Sequence, residues 1–176
     1  MAQYREKTLY ESFPALRYVL YAITALLLSV MHVVFVRLIS VQGIAPDLLL
    51  VLTAWIALAE GQFIALYAGF ICGLLFDVVS ADVLGTNALA KTMAGFTAGF
   101  FFRHVEIPKS LGGMRLLLAV GVSSFIHNLA YFFFYVRPTE MSFTGFFLQY
   151  GIATTLYTVV AALFPMLIYR STRLVR

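Results

Sequence analysis

Apolar residues run along this chain in long blocks, broken by short clusters of charge, glycine and proline. Six blocks stand out, at about residues 16–36, 44–59, 62–79, 83–102, 115–136 and 143–169. A helix that crosses a bilayer needs about 20 mostly apolar residues, so the pattern predicts an all-α, polytopic membrane bundle of about six transmembrane helices. The second and third blocks are separated only by Glu60-Gly61 and are expected to be short. At about 1.5 Å per residue, the stretch from Pro46 to Ala59 reaches roughly 21 Å, less than the ~30 Å hydrocarbon core. Such a hairpin must be shielded by other helices.

The breaks define the rest. Residues 1–15 form a polar tail, with Ser12 and Pro14 as a helix start, residues 16–170 the membrane domain, and residues 171–176 a basic tail. No connecting stretch is long enough for a soluble domain. The stretch from Val19 to Val36 carries no charge and is followed by Arg37 rather than a small-residue cleavage site, so it reads as a retained first helix, not a signal peptide.

Composition agrees. The 176 residues are 62% hydrophobic and 11% charged, with a mean hydropathy of +0.93, whereas soluble domains carry roughly 25% charge. A soluble chain of this size could not hide so much apolar surface. The net charge of +4 does not point to nucleic acid, because the basic residues sit between the apolar blocks. With six crossings and the amino terminus inside, the cytoplasmic side receives Arg5, Lys7, Arg17, Arg103, Lys109, Arg115, Arg170, Arg173 and Arg176, and the outside only Arg37 and Arg137. The positive-inside rule then places both termini in the cytoplasm.

Two stripes of small residues mark the third and fourth blocks. Gly61, Ala65, Gly69, Gly73 and Asp77 recur every four residues, and so do Asn87, Lys91, Gly95 and Gly99. Small residues at this spacing let helix backbones approach closely, which predicts a tightly packed antiparallel hairpin through Gly85, with self-dimerisation through one stripe as the alternative. Asp77 and Lys91 are the costly residues, since a charge at mid-membrane costs on the order of 3 kcal/mol. They are expected to pair, with Asn87 as a further hydrogen-bond partner, or else Asp77 caps a helix end. Pro46 and Asp47 start the second helix, where an acid suits the helix dipole. Glu60 is expected to be solvated in its turn. His127-Asn128 reads as a bridge between helices, and the aromatics as interfacial belts.

Catalytic chemistry is missing from the pattern. No nucleophile stands beside a base, no phosphate loop follows a strand, His32, His104 and His127 are scattered, and the lone Cys72 lies in an apolar run as a packing residue against lipid or a neighbouring helix. No catalytic residue, metal site or cofactor is expected, and the chain does not read as an enzyme.

One stretch carries a family resemblance. It opens with Ala45-Pro46-Asp47-Leu48-Leu49-Leu50 and continues through Gly69-Phe70-Ile71-Cys72-Gly73-Leu74-Leu75-Phe76-Asp77 to Leu84-Gly85-Thr86-Asn87 and Gly95-Phe96, with Pro165 in the last block. In order and spacing it resembles the rod-shape-determining protein MreD family, although Lys91 is not part of that pattern. The resemblance implies a non-catalytic scaffold of the bacterial inner membrane that binds MreC, a single-span protein with a periplasmic domain. Through MreC it would connect MreB filaments to the glycan polymerase RodA and its transpeptidase, supporting peptidoglycan synthesis by the elongasome. It also implies a fold similar to the S components of energy-coupling-factor transporters. That likeness keeps a second function open, a membrane component that binds a small, vitamin-type molecule. Membrane lipid is a partner in either case.

Overall fold

In a computed structural model of the chain, residues 14–40, 44–81, 83–136 and 143–174 are described. The amino-terminal tail with Arg5, Lys7 and Ser12, and also Asp82, Arg137, Glu140 and Arg176, lie outside the described residues. The main helices are α1 (Pro14–Ile39), α2 (Leu48–Glu60), α3 (Gln62–Ser80), α4 (Thr86–Gly99), a short α5 (Ile107–Leu111), α6 (Met114–Tyr131), α7 (Phe143–Phe146) and α8 (Ile152–Leu174). No strand occurs among the described residues. The widened turns Phe132–Val136 and Phe147–Gly151 follow α6 and α7.

The chain is a polytopic membrane helix bundle. Helices α1, α3, α6 and α8 are long and apolar enough to cross a bilayer. Contrary to the sequence expectation, the short helices are the second and the fourth. α3 has 19 residues, about 28 Å, whereas α4 has 14, about 21 Å. The difference arises at the α4 ends: Gly85 takes a left-handed φ of 98° and starts the helix late, and the turn at Phe100 and Phe101 ends it early.

α2 can be short because protein surrounds it. Leu49, Leu50, Val51, Leu52, Ala54, Ile56 and Leu58 are distributed around this helix and are all buried, as expected of a helix hydrophobic all round. It packs against α1, α3, α4, α6 and α8. Gly61 alone separates α2 from α3. Its φ of 96° is a conformation in which a side chain would be strained, and its N–H donates to Ala57 O at 3.0 Å.

The most extensive helix contact is between α3 and α4. A methyl group on Gly69 would overlap the Lys91 carbonyl, one on Gly73 the Asn87 carbonyl, one on Gly95 the Ala65 carbonyl, and one on Gly99 the Gln62 backbone. The two stripes therefore lie in antiparallel register with backbone against backbone. Cys72 is buried beside Ala25, Leu49 and Ile56 and so faces neighbouring helices, not lipid. At the far end, Phe132, Phe143 and Phe147 form an aromatic cluster, with Phe132 and Phe143 ring centroids 5.3 Å apart.

One end of the bundle gathers the basic residues. Arg17 bonds Glu60 at 2.9 Å across α1 and α2, and Tyr21 donates to the same carboxylate at 3.1 Å. The side chain of Glu60 is only 7% exposed, so it is an interhelical tie and not the solvated turn residue expected from the sequence. Arg115 bonds Glu106 at 3.0 Å and Ser110 at 2.9 Å, which ties the short α5 to the start of α6.

The packing yields a direct test. Gly69→Val and Gly73→Val force α3 and α4 apart, and each should lower stability by about 1–3 kcal/mol or more. Gly85→Asn, at a site with open space around it and a left-handed backbone that asparagine tolerates, should cost less. Thermal melting in detergent ranks the three variants.

Candidate functional site

The central chemistry of the fold is a buried ionic cluster built on the first residue before α2. Asp47 is the N-cap of α2, and its Oδ1 accepts from Leu50 N at 2.9 Å. Pro46 just before it is fully buried, which presses the cap into the bundle. The other carboxylate oxygen, Oδ2, forms a short ion pair with Lys91 Nζ of α4. The Asp47 N–H donates to Thr158 Oγ1 of α8 at 3.0 Å, and Thr158 donates in turn to Thr154 O at 2.7 Å.

α6 supplies the third charged or chargeable group. His127 Nε2 lies 3.2 Å from Lys91 Nζ and 3.8 Å from Asp47 Oδ2. An ammonium group has donors and no acceptor, so beside Lys91⁺ the imidazole Nε2 acts as acceptor and Nδ1 carries the ring proton. The Phe76 ring of α3 completes the lysine's surroundings, with its centroid 5.0 Å from Nζ, a cation–π distance. The opposite side of that story is α1, where His32 meets Phe76 edge-on at 4.8 Å. Six helices thus meet around one ammonium group whose residue is 1% exposed.

The sequence expectation that Asp77 pairs with Lys91 is overturned. Asp77 lies near the end of α3, where it accepts three backbone N–H bonds: from Gly85 at 2.9 Å, Asn87 at 3.1 Å and Ala88 at 3.2 Å. The reason is local. Helix α4 begins after a glycine that has no capping side chain, and its orphan N–H groups are satisfied by a carboxylate from the preceding helix. Lys91 lies too far along α4 for that carboxylate and turns into the bundle instead of snorkelling outward. Asn87 belongs to the Asp77 end through its backbone N–H.

The remaining sequence candidates fall into place around these two centres. Gly69, Gly73, Gly95 and Gly99 bring α4 close enough to α3 for Lys91 to reach the interior. Asn128 faces away from His127 and donates to Gly151 O and Thr155 Oγ1 of the α7–α8 region, both at 3.0 Å. Ser124 joins it, 3.4 Å from Thr155 Oγ1. His127 and Thr158 were not legible as members of one site. Their only sequence signal is that each is polar inside an apolar block. Among the described residues no group of three or more histidine, cysteine, aspartate and glutamate side chains could hold a metal ion.

As an assembly, the cluster is suited to joining helices. Each charge of the cluster meets a partner within the bundle. A family model for rod shape-determining protein MreD matches residues 13–174, nearly the whole chain and every helix described above. The chain belongs to the MreD family. The family is a shape-determining one, and the spanning helices make this member a multi-pass membrane protein. No curated protein and no solved structure matches the chain.

The ion pair should appear in a double-mutant cycle. Asp47→Asn and Lys91→Met each leave a buried group without its partner, at about 3–5 kcal/mol, and the double variant should lose clearly less than the sum. Asp77→Asn combined with Lys91→Met should instead be additive to within about 0.5 kcal/mol. Unfolding of the reconstituted variants measures both couplings, and additivity in the first pair would remove Asp47 from its assigned role.

Proposed function

We propose that this member of the MreD family is a non-catalytic scaffold of the cell-wall elongation complex in the bacterial inner membrane. It binds MreC through helix surfaces and, through MreC, works with MreB, RodA and its transpeptidase in rod-shape maintenance and peptidoglycan synthesis. The observation that carries the reading is the family match over 13–174. The geometry adds support: the buried charges are consumed in holding six helices in one arrangement, which is what a rigid platform for another membrane protein requires.

The small-residue stripes are not the proposed docking face, because α3 and α4 use them on each other. A partner helix would meet the outer surfaces, such as Phe63, Tyr67 and Phe70 of α3 or Leu118, Val122 and Phe125 of α6, all exposed on this chain. The same surfaces are where self-association would occur. The transporter alternative calls for polar side chains open to a cavity. Here Lys91, His127 and Asn128 are tied to protein partners, and the large groove beside α2 has an apolar lining, so the scaffold reading is preferred.

In the proposed orientation the basic end of the bundle, with Arg17, Lys109, Arg115 and Arg170, lies in the cytoplasm together with both termini. A reporter active only outside the cytoplasm, fused after Arg176, should therefore stay silent. Photo-crosslinkers placed along the outer faces of α3 and α6 should capture MreC in cells, and depletion of the protein should round the cells. Failure to co-purify with MreC, together with cells that stay rod-shaped on depletion, would defeat the scaffold reading.

A further inference from the structure

The bundle carries a groove of about 700 Å³ between α1 and α8, with α2 as its floor. Leu20, Leu28 and Met31 line one wall, Val51 and Trp55 the floor, and Ala161 the other wall. α1 and α8 make no extensive contact with each other, so the groove opens sideways toward the hydrocarbon. Its volume is in the range of ligand pockets.

Three observations identify what fills it. First, the length: from Leu20 to Met31 α1 rises roughly 16 Å, close to the ~15 Å of a single leaflet's share of the hydrocarbon core. Second, the placement: the groove starts one turn from Arg17, at the basic end where the Arg17–Glu60–Tyr21 cluster sits. It ends near Pro46, at the level of the buried ionic cluster. The Arg17–Glu60 pair and the Tyr21 hydroxyl make the basic end polar and the rest of the groove apolar, the polarity gradient of a lipid. Third, the floor: Leu48, Val51, Leu52 and Trp55 are all large side chains. Close helix–helix packing in membranes uses small residues, and the glycine faces are already consumed between α3 and α4. A flexible hydrocarbon chain packs on such side chains without needing the small residues that a closely packed helix would.

We infer that the groove between α1 and α8 is a binding site for one acyl chain of a phospholipid from the leaflet at the basic end. The bound chain covers Leu48 and Trp55, the half-buried residues of α2 in the groove floor. This assignment does not depend on the scaffold reading or on MreC.

The test uses the full-length protein in nanodiscs containing phosphatidylglycerol with a photoactivatable diazirine near the middle of one acyl chain. Mass spectrometry of the labelled protein should place adducts on Leu28, Val51 and Ala161 at least five-fold above Phe63 and Phe70, which are exposed on the outer face of α3. Ala161→Trp fills the groove and should cut labelling there five-fold or more, leaving α3 labelling unchanged. Should that variant fail to fold, Thr24→Phe on the opposite, exposed wall serves the same purpose. Equal labelling of the groove and α3, or groove labelling indifferent to both substitutions, overturns the inference. So does a crosslinker at position 161 that captures another protein in cells instead of lipid.

Discussion

A positive charge held away from water is the constraint around which this bundle is organised. Lys91 has no route to solvent, and an uncompensated ammonium at this depth would cost several kcal/mol. Its compensation comes from elements distant in the chain: the cap of α2, the imidazole of α6 and an aromatic ring of α3. Because Asp47 also ends α2 and reaches α8 through Thr158, moving any one helix disturbs the environment of the others. Apolar packing in lipid is weakly directional, since the surrounding solvent is as apolar as the side chains. The ionic cluster supplies the missing direction.

The glycine stripes make that cluster reachable. If α3 and α4 stood at an ordinary interhelical distance, Lys91 would be displaced from the carboxylate. The close approach seen at Gly69 and Gly73 brings the α4 backbone onto α3 and lets the lysine stem extend past it toward α2. Asp77 works at the other end of the same hairpin and fixes where α4 starts. Two acids that look alike in the sequence therefore do different work. One neutralises a charge between distant helices, and the other satisfies backbone groups across a turn.

Much of this architecture was legible in the sequence, and the missing parts share a cause. The membrane-bundle class, the hairpin at Gly61 and the glycine faces follow from local periodicity, which is written directly into adjacent residues. The partner of Lys91 is not. Asp77 is 14 positions away and Asp47 is 44, and only the three-dimensional register of α2 against α4 makes the more distant acid the nearer one. Similarly, Glu60 looked like a turn residue because nothing near it in the chain revealed that Arg17 and Tyr21 of α1 would cover it. The length of α4 differs from its apolar block because apolar residues continue on both sides of a helix whose start is set by Gly85 and Asp77 and whose end is set by the turn at Phe100 and Phe101.

The shortness of α2 and α4, each about two-thirds of a full span, has a consequence for how the protein is made. Neither helix, taken singly, is a good substrate for entry into lipid: one is only 13 residues long and the other contains a lysine. The full-length α3 lies between them in the chain. The three must therefore partition as one unit, with α3 carrying its two neighbours, and the lysine stays poorly neutralised until that unit has closed. His127 and Thr158 emerge from the ribosome later still, so the finished joint records the completion of biogenesis. A chain truncated after α4 would present quality-control proteases with a half-built charge site inside the membrane.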